Sequence, residues 1–175
     1  MEALEAIAKR TSTRKFKETQ ISEENLQTIL KAGMAAPVGS GAYNSLHITV
    51  VQNQSVFSKI NAAVTELIFK MMGKKMDKSF GAPTMIFVSS KPAMMPGLEY
   101  ANTACVLENM AIAATSLGIG NVIWGGAASA VEQNAELRKI LEIPEGYKPI
   151  LCISLGYSSK DEVPKKHEIT VNKVI

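Results

Sequence analysis

The sequence predicts a single mixed domain, of the α/β or α+β class, in which strands are separated by long helices. Three observations carry that prediction. Apolar residues recur at the helical period in several long stretches, and short runs rich in Val, Ile and Phe lie between them. No linker, internal repeat or low-complexity tract divides the 175 residues.

The elements follow in order. Leu4, Ile7 and Ala8 mark a short first helix ending near Arg10. The second is well signalled: Ser22 is a good N-cap, Glu23 and Glu24 complement the dipole in the first turn, and Ile21 can staple against Leu26. Its apolar face is Leu26, Ile29, Leu30, Gly33 and Met34, and Pro37 ends it. A loop from Pro37 to Asn44 leads to a strand at 46–51. Ser55 is read as the cap of a third helix, with Val56, Ile60, Val64, Leu67, Ile68 and Met71 on one side. Such a stripe fits a core or a subunit seam better than a cofactor box. A polar connector, Lys74 to Lys78, precedes a strand at 84–89. From about Gly97 to Leu117 small and apolar residues (Ala101, Ala104, Cys105, Leu107, Ala111, Ala114) occupy nearly every face, the pattern of a helix buried on most sides. A short strand, 121–124, runs into Gly125-Gly126. An amphipathic surface helix is expected over 132–141, with Leu137, Ile140 and Leu141, and an apolar central strand over 149–156. The tail from Tyr157 is polar at first and ends in Val171 and Val174-Ile175. Apolar residues at a chain end need a surface, and a second subunit is the expected one.

Composition excludes several function classes. The chain is 46% hydrophobic and 20% charged, which fits a soluble globular protein. Its net charge of +3 is spread without a basic stripe, which argues against nucleic acid. Cys105 and Cys152 both read as small core residues, with no disulfide or zinc pattern, and His47 and His167 lie too far apart for metal-ligand spacing. The N-terminus carries early acids and no long apolar run, so neither a secretory signal nor a transit peptide is expected there. Asn109 to Val131 carries no charge and is long enough to span a bilayer. Gly118, Gly120, Gly125 and Gly126 cut it into helix, turn and strand, so a buried helix and strand explain it better. The expected location is cytoplasmic, away from membranes.

Arg10-Thr11-Ser12-Thr13-Arg14 is the segment richest in chemistry. Two guanidiniums four residues apart, with three hydroxyls between them, can together hold a dianionic phosphate. A cation at a helix end also simply complements the dipole, and the pentapeptide alone leaves both readings open. Gly118-Ile119-Gly120 follows a helix, whereas a dinucleotide fingerprint follows a strand, so Gly118 reads as a helix C-cap. Trp124-Gly125-Gly126 does follow a strand; there the backbone can approach a flat ligand, or merely turn. Pro37-Val38-Gly39-Ser40-Gly41 sits on a rim where ligands are often held, or is a flexible connection. No Ser, Cys or His constellation suggests a nucleophile, and Glu108 reads as a partly buried structural carboxylate. A phosphate-gripping segment without a catalytic side-chain set points to a cofactor that carries the chemistry.

The opening Ile7 to Phe16, with Ile21-Ser22-Glu23-Glu24-Asn25-Leu26 and Ala35-Ala36-Pro37, resembles the start of the nitroreductase family of FMN flavoproteins. Leu107 to Ala114, Leu117-Gly118-Ile119-Gly120 and Trp124-Gly125-Gly126 are similar to that family's central helix and following strand. Pro149 to Gly156 and the Lys165 region match its last strand and tail, so the resemblance covers nearly the whole chain in order.

The resemblance implies an α+β fold with a central, mostly antiparallel sheet packed by helices, in a domain-swapped homodimer with two FMN sites at the interface. Residues 1–160 would form the domain and 161–175 an extension packing on the partner. It assigns Arg10, Thr11, Ser12 and Arg14 to the phosphate and ribityl chain, and Pro37, Val38 and Gly39 to the partner's flavin. The backbone of Trp124, Gly125 and Gly126 would approach the ring system, and Lys165, with His167 or Lys166, would complete the phosphate grip. The implied activity is hydride transfer from NAD(P)H to FMN and reduction of a small electron-poor acceptor, such as a nitroaromatic or quinone, by a ping-pong mechanism with no essential side-chain acid or base. The alternative is a flavin- or phosphate-binding module without turnover.

The sequence departs from the family pattern in three places. Gly41-Ala42-Tyr43-Asn44-Ser45-Leu46-His47 stands where an Asn-x-Gln-Pro-Trp type segment is common. Lys165-Lys166-His167 stands for Lys-x-Arg, which implies a weaker, pH-sensitive phosphate grip. The short link from Ser90 to Gly97 leaves little room for a helical cover, which implies an open substrate face.

Overall fold

The computed structural model describes residues 1–74, 80–164 and 167–175. Six α-helices and four strands follow one another along them: α1 (Ala3–Lys9), α2 (Glu23–Met34), β1 (Leu46–Val51), α3 (Gln54–Met72), β2 (Thr84–Ser90), α4 (Leu98–Ser116), β3 (Gly120–Trp124), α5 (Gly126–Glu132), α6 (Ala135–Ile140) and β4 (Lys148–Gly156). The sheet order is β1-β2-β4-β3, and all three pairings are antiparallel. This is the α+β arrangement with an antiparallel sheet. Residues 75–78 of the expected Lys74–Lys78 connector lie outside the described residues.

Strand alternation divides the interior in two. Ile86, Val88, Ile153 and Leu155 face α2 and α4, where they meet Leu26, Ile29, Leu107, Met110 and Ala111. Met85, Phe87 and Cys152 face the other way, against Phe57, Ile60 and Val64 of α3, Ala127, Ala128 and Val131 of α5, and Leu137 of α6. Each large apolar side chain so buried contributes about 1.5–3 kcal/mol.

Local signals explain most helix ends. Ser22 Oγ accepts from the Asn25 N–H, and Ile21 and Leu26 lie in one core. Gly118, at φ 72, ends α4: its N–H donates to Thr115 O, and the Ile119 N–H reaches back to Ala114 O at 2.8 Å. That paired closure requires a left-handed residue at the position Gly118 holds.

Three expectations need correction. The cap of α3 is Asn53, whose Oδ1 accepts from the N–H groups of Ser55 and Val56, so Ser55 lies in the first turn. The helix expected over 132–141 is shorter, Ala135–Ile140 capped by Asn134, and an unexpected helix, α5 at Gly126–Glu132 with Ala127, Ala128, Ala130 and Val131, comes before it. Alanine favours helix, and that preference prevails over the strand-to-turn reading of the glycines. Finally, α4 is buried on one side only. Asn102, Thr103, Val106, Leu107, Met110, Ala111 and Ala114 face inward, while Ala101, Ala104, Cys105 and Glu108 are exposed in the single chain. Cys105 is therefore not a core residue. Among the described residues, no helix is long and apolar enough to cross a membrane.

Candidate functional site

The chain leaves α1 at Arg10, whose backbone (φ −57°, ψ 124°) has left the helical region. From there it is laid against the sheet by its main chain. The Thr13 N–H donates to Asn121 O at 2.8 Å, the Lys17 N–H to Tyr157 O at 2.8 Å, and the Ser159 N–H to Lys15 O at 3.1 Å. Thr13 is buried against Gly120, where a Cβ would stand 2.7 Å from its hydroxyl oxygen. Asn121, also buried, ties β3 to α4 by donating to Ala111 O and Thr115 Oγ1. Thr13 inward and Arg14 outward is the alternation of an extended segment.

Neither arginine makes a close ion pair among the described residues. The Arg10 Nε lies 3.9 Å from Glu108 Oε1, whose side chain is half exposed, a pair worth little. Arg14 makes no ion pair among the described residues; its Nη1 donates only to Ser12 O, at 3.3 Å. The last turn of α1 is complemented by Lys9, itself paired with Glu5 at 2.6 Å. The helix end thus has its own cation. Arg10 and Arg14, with the half-buried Thr11 and Ser12, form a donor set for an anion. Glu108, expected to be partly buried, serves as the loose neighbour of Arg10.

Pro37, Val38 and Gly39 follow α2 and are pinned to α4. Asn109 Nδ2 donates to Ala32 O in the last turns of α2, and the Gly39 N–H donates to Asn102 Oδ1 at 2.8 Å. Val38 is buried, and Ser40 turns the chain with φ 59°. The rim loop is held rather than loose.

At the far end of β3, three residues beyond Asn121 and so roughly 10 Å along the strand, stand Trp124, Gly125 and Gly126. The Trp124 Nε1 donates to Ser154 Oγ at 3.0 Å, and Phe80 meets the indole edge-on. A cavity of about 600 Å³ opens there between Trp124, Phe80, Met85 and Phe16, two residues past Arg14. Gly125 and Gly126 have ordinary negative-φ or helical backbones, and an added Cβ would come no nearer than 3.3 Å to the chain. Backbone conformation therefore does not demand glycine at these two positions, although a methyl at Gly126 would crowd the Trp124 ring.

The sequence-predicted residues thus fall into two groups on β3, Arg10–Arg14 at its start and Trp124–Gly126 at its end, and a third on α4. His167 lies on the exposed tail and makes no hydrogen bond to Arg10–Arg14 among the described residues. Lys165 and Lys166 lie outside them. Thr13, read from the sequence as one of three hydroxyls for a phosphate, is instead buried against Gly120, and sequence reasoning missed Asn121 and Asn102. Asn102 had a signal: with Asn109 it is one of two amides seven residues apart on the same helix, and so on one face.

The model of the nitroreductase family matches residues 7–157 of the chain. A protein of Archaeoglobus fulgidus, named as a proposed NADH dehydrogenase/NAD(P)H nitroreductase, is 33% identical over 162 residues, covering 92% of this chain and 87% of its own length. A nitroreductase with bound FMN from Bacteroides fragilis superposes with a TM-score of 0.84 at 28% identity, covering 100% of this chain and 98% of the other. An FMN-dependent nitroreductase from Clostridium difficile gives a TM-score of 0.85 at 26% identity, with 99% of each chain covered.

Proposed function

The chain belongs to the nitroreductase family, and from that premise we propose that it is a homodimeric FMN-dependent oxidoreductase that oxidises NAD(P)H and reduces a small electron-poor acceptor. The observation that carries the reading is a segment with two guanidiniums, one only loosely paired and one without an ion pair among the described residues, held by main-chain bonds at the start of β3, with two glycines at its end. An anion grip at one end and an approachable backbone at the other suit a ligand with a phosphate and a flat ring.

The residues present fit FMN. Arg10, Arg14, Thr11 and Ser12 offer charged and neutral donors for the phosphate and ribityl hydroxyls. The backbone at Trp124, Gly125 and Gly126 leaves space for a ring face, and an N–H there favours negative charge on the ring edge. When bound, FMN supplies the hydride chemistry. The chain's own residues position it, and no side-chain acid or base is required of them. In the dimer, Pro37, Val38 and Gly39 of one subunit lie along the flavin site of the other, and the tail after residue 160 crosses to the partner. Four exposed apolar side chains, Ile169, Val171, Val174 and Ile175, and the uncovered face of α4 motivate that assembly. Lys165 and His167 complete the phosphate grip in this reading, and the protein works in the cytoplasm.

Initial rates test it. With NAD(P)H and a nitroaromatic or quinone varied together, the purified protein should give parallel double-reciprocal lines, the mark of two half-reactions sharing one site. A yellow protein that oxidises NADH and NADPH no faster than free FMN does would instead be a binding module.

A further inference from the structure

We propose that Asn102 is a positioning residue of the oxidoreductase site: it holds the Pro37–Gly39 loop in the form that faces the ligand, and it does so for the partner's site. The proposal rests on the functional reading above. Its ground is a contact that neither the phosphate grip nor the strand end accounts for.

Asn102 is 5% exposed, on the inward face of α4 one turn beyond its N-terminus. A buried amide on a helix face is costly unless it is used. Its Oδ1 accepts the Gly39 N–H at 2.8 Å across 63 residues of sequence. The approach is close on both sides. A Cβ on Gly39 would stand 2.8 Å from Leu98 Cδ1 and 3.3 Å from Asn102 Oδ1, so a side chain there would have to displace the Leu98 methyl and crowd the amide oxygen. Immediately after this clamp the chain makes its left-handed turn through Ser40 and Gly41, at φ 59° and 62°. A turn of that kind persists where its surroundings over-determine it. Asn102 supplies one side, and the Gly41 N–H bond to Val38 O at 3.0 Å supplies the other. Without the amide oxygen, the Gly39 N–H would be left without its partner, and the loop would leave α4 to find water.

The test uses the full-length holoprotein and three variants. Asn102→Leu keeps the volume and removes the acceptor. Asn102→Asp keeps an oxygen at the same place. Gly39→Ala pushes the loop off α4 without altering α4. With a nitroaromatic as acceptor, Asn102→Leu and Gly39→Ala should raise KM about tenfold, the size expected from loss of one buried hydrogen bond, with a smaller change in kcat. Asn102→Asp should return KM to within about threefold of the parent. Subunit mixing tests the trans assignment. At acceptor concentrations well below the parent's KM, heterodimers of Asn102→Leu with the Arg10→Ala/Arg14→Ala double variant should regain one intact site, hence about half the parent's activity per dimer. Leu and Asp variants equally impaired would make Asn102 a packing residue only and overturn the proposal. So would a Gly39→Ala protein with parental KM, or mixed dimers that regain nothing. A parent protein that holds no flavin sinks the functional reading instead, before any variant is compared. Should Asn102→Leu fail to fold, Gly39→Ala and Asn102→Asp carry the KM comparison by themselves, and Gly39→Ala takes its place in the subunit mixing.

Discussion

Two segments of this chain lie outside its regular helices and strands where described, one at each end and each carrying part of the proposed phosphate grip, and the fold treats them oppositely. Residues 10–17 are bonded by their main chain to Asn121 and Tyr157 and send Thr13 into the interior. Residues 161–175 form no regular structure where described, and Ile169, Val171, Val174 and Ile175 stand 83% exposed or more. The sheet holds the cationic segment in place, whereas four bare apolar side chains leave the tail without a surface on its own chain. In the proposed phosphate grip, the N-terminal half is thus held within one chain, and the C-terminal half is the part the proposed dimer would supply.

The largest effect should come from the anchored segment. Arg10→Ala/Arg14→Ala removes two charge-assisted partners, each worth about 1.5–3 kcal/mol. FMN affinity, followed by quenching of flavin fluorescence on titration into apoprotein, should fall by about 100-fold or more. The far-ultraviolet circular dichroism should be unchanged, since neither guanidinium holds the fold. Binding that survives this substitution would show that the anchored arginines are not the grip.

The free segment comes next. Deleting residues 161–175 should convert a dimer to a monomer in sedimentation velocity at micromolar concentration. Four apolar side chains at about 1.5–3 kcal/mol each suffice to weaken the dimer by 100-fold or more. A truncated protein that stays dimeric would leave the exposed tail without a role.

How much of this contrast is legible in the sequence depends on whether a signal is local. Ser22 and the acids after it announce α2, and period-two alternation announces β1, because caps and pleats act within a few residues. Arg10 to Arg14 is legible as chemistry, since residue type alone specifies donors. Its attachment to Asn121 is not, because that bond crosses more than a hundred residues. The outward face of α4 is hidden by composition: when Ala, Cys and Ala recur on every side, no moment tells which side the sheet will take. The Asn53 cap was missed because Asn53 and Ser55 are both competent, and only the side chain's reach decides. The helix at 126–132 was missed because two glycines suggested a turn where three alanines prefer a helix.

A smaller effect separates space needed by the chain from space kept for a ligand. Gly126→Ala should change apoprotein stability by less than about 1 kcal/mol in chemical denaturation, since the new Cβ meets only the Trp124 ring at 3.3 Å. FMN affinity should fall about tenfold, because the same methyl occupies the approach to the ring. Equal loss of stability and affinity would make Gly126 structural.

The smallest effect reports on the two cysteines. Burial pushes the Cys152 thiol far above its ordinary range, whereas Cys105 is exposed on the outer face of α4. A thiol reagent near neutral pH should leave Cys152 unmodified until the protein unfolds. Cys105 should react readily in the truncated monomer and slowly in the full-length dimer. Equal rates in both forms would place the subunit contact away from α4.

The central claim is that Arg10–Arg14 and Trp124–Gly126 bracket a flavin that turns over. An absorption spectrum of the purified protein under anaerobic conditions, before and after NADH or NADPH, tests it most directly. The account predicts a flavin band near that of free FMN that bleaches on adding the reductant and returns with a nitroaromatic or quinone. A colourless protein that stays colourless after incubation with FMN would contradict it.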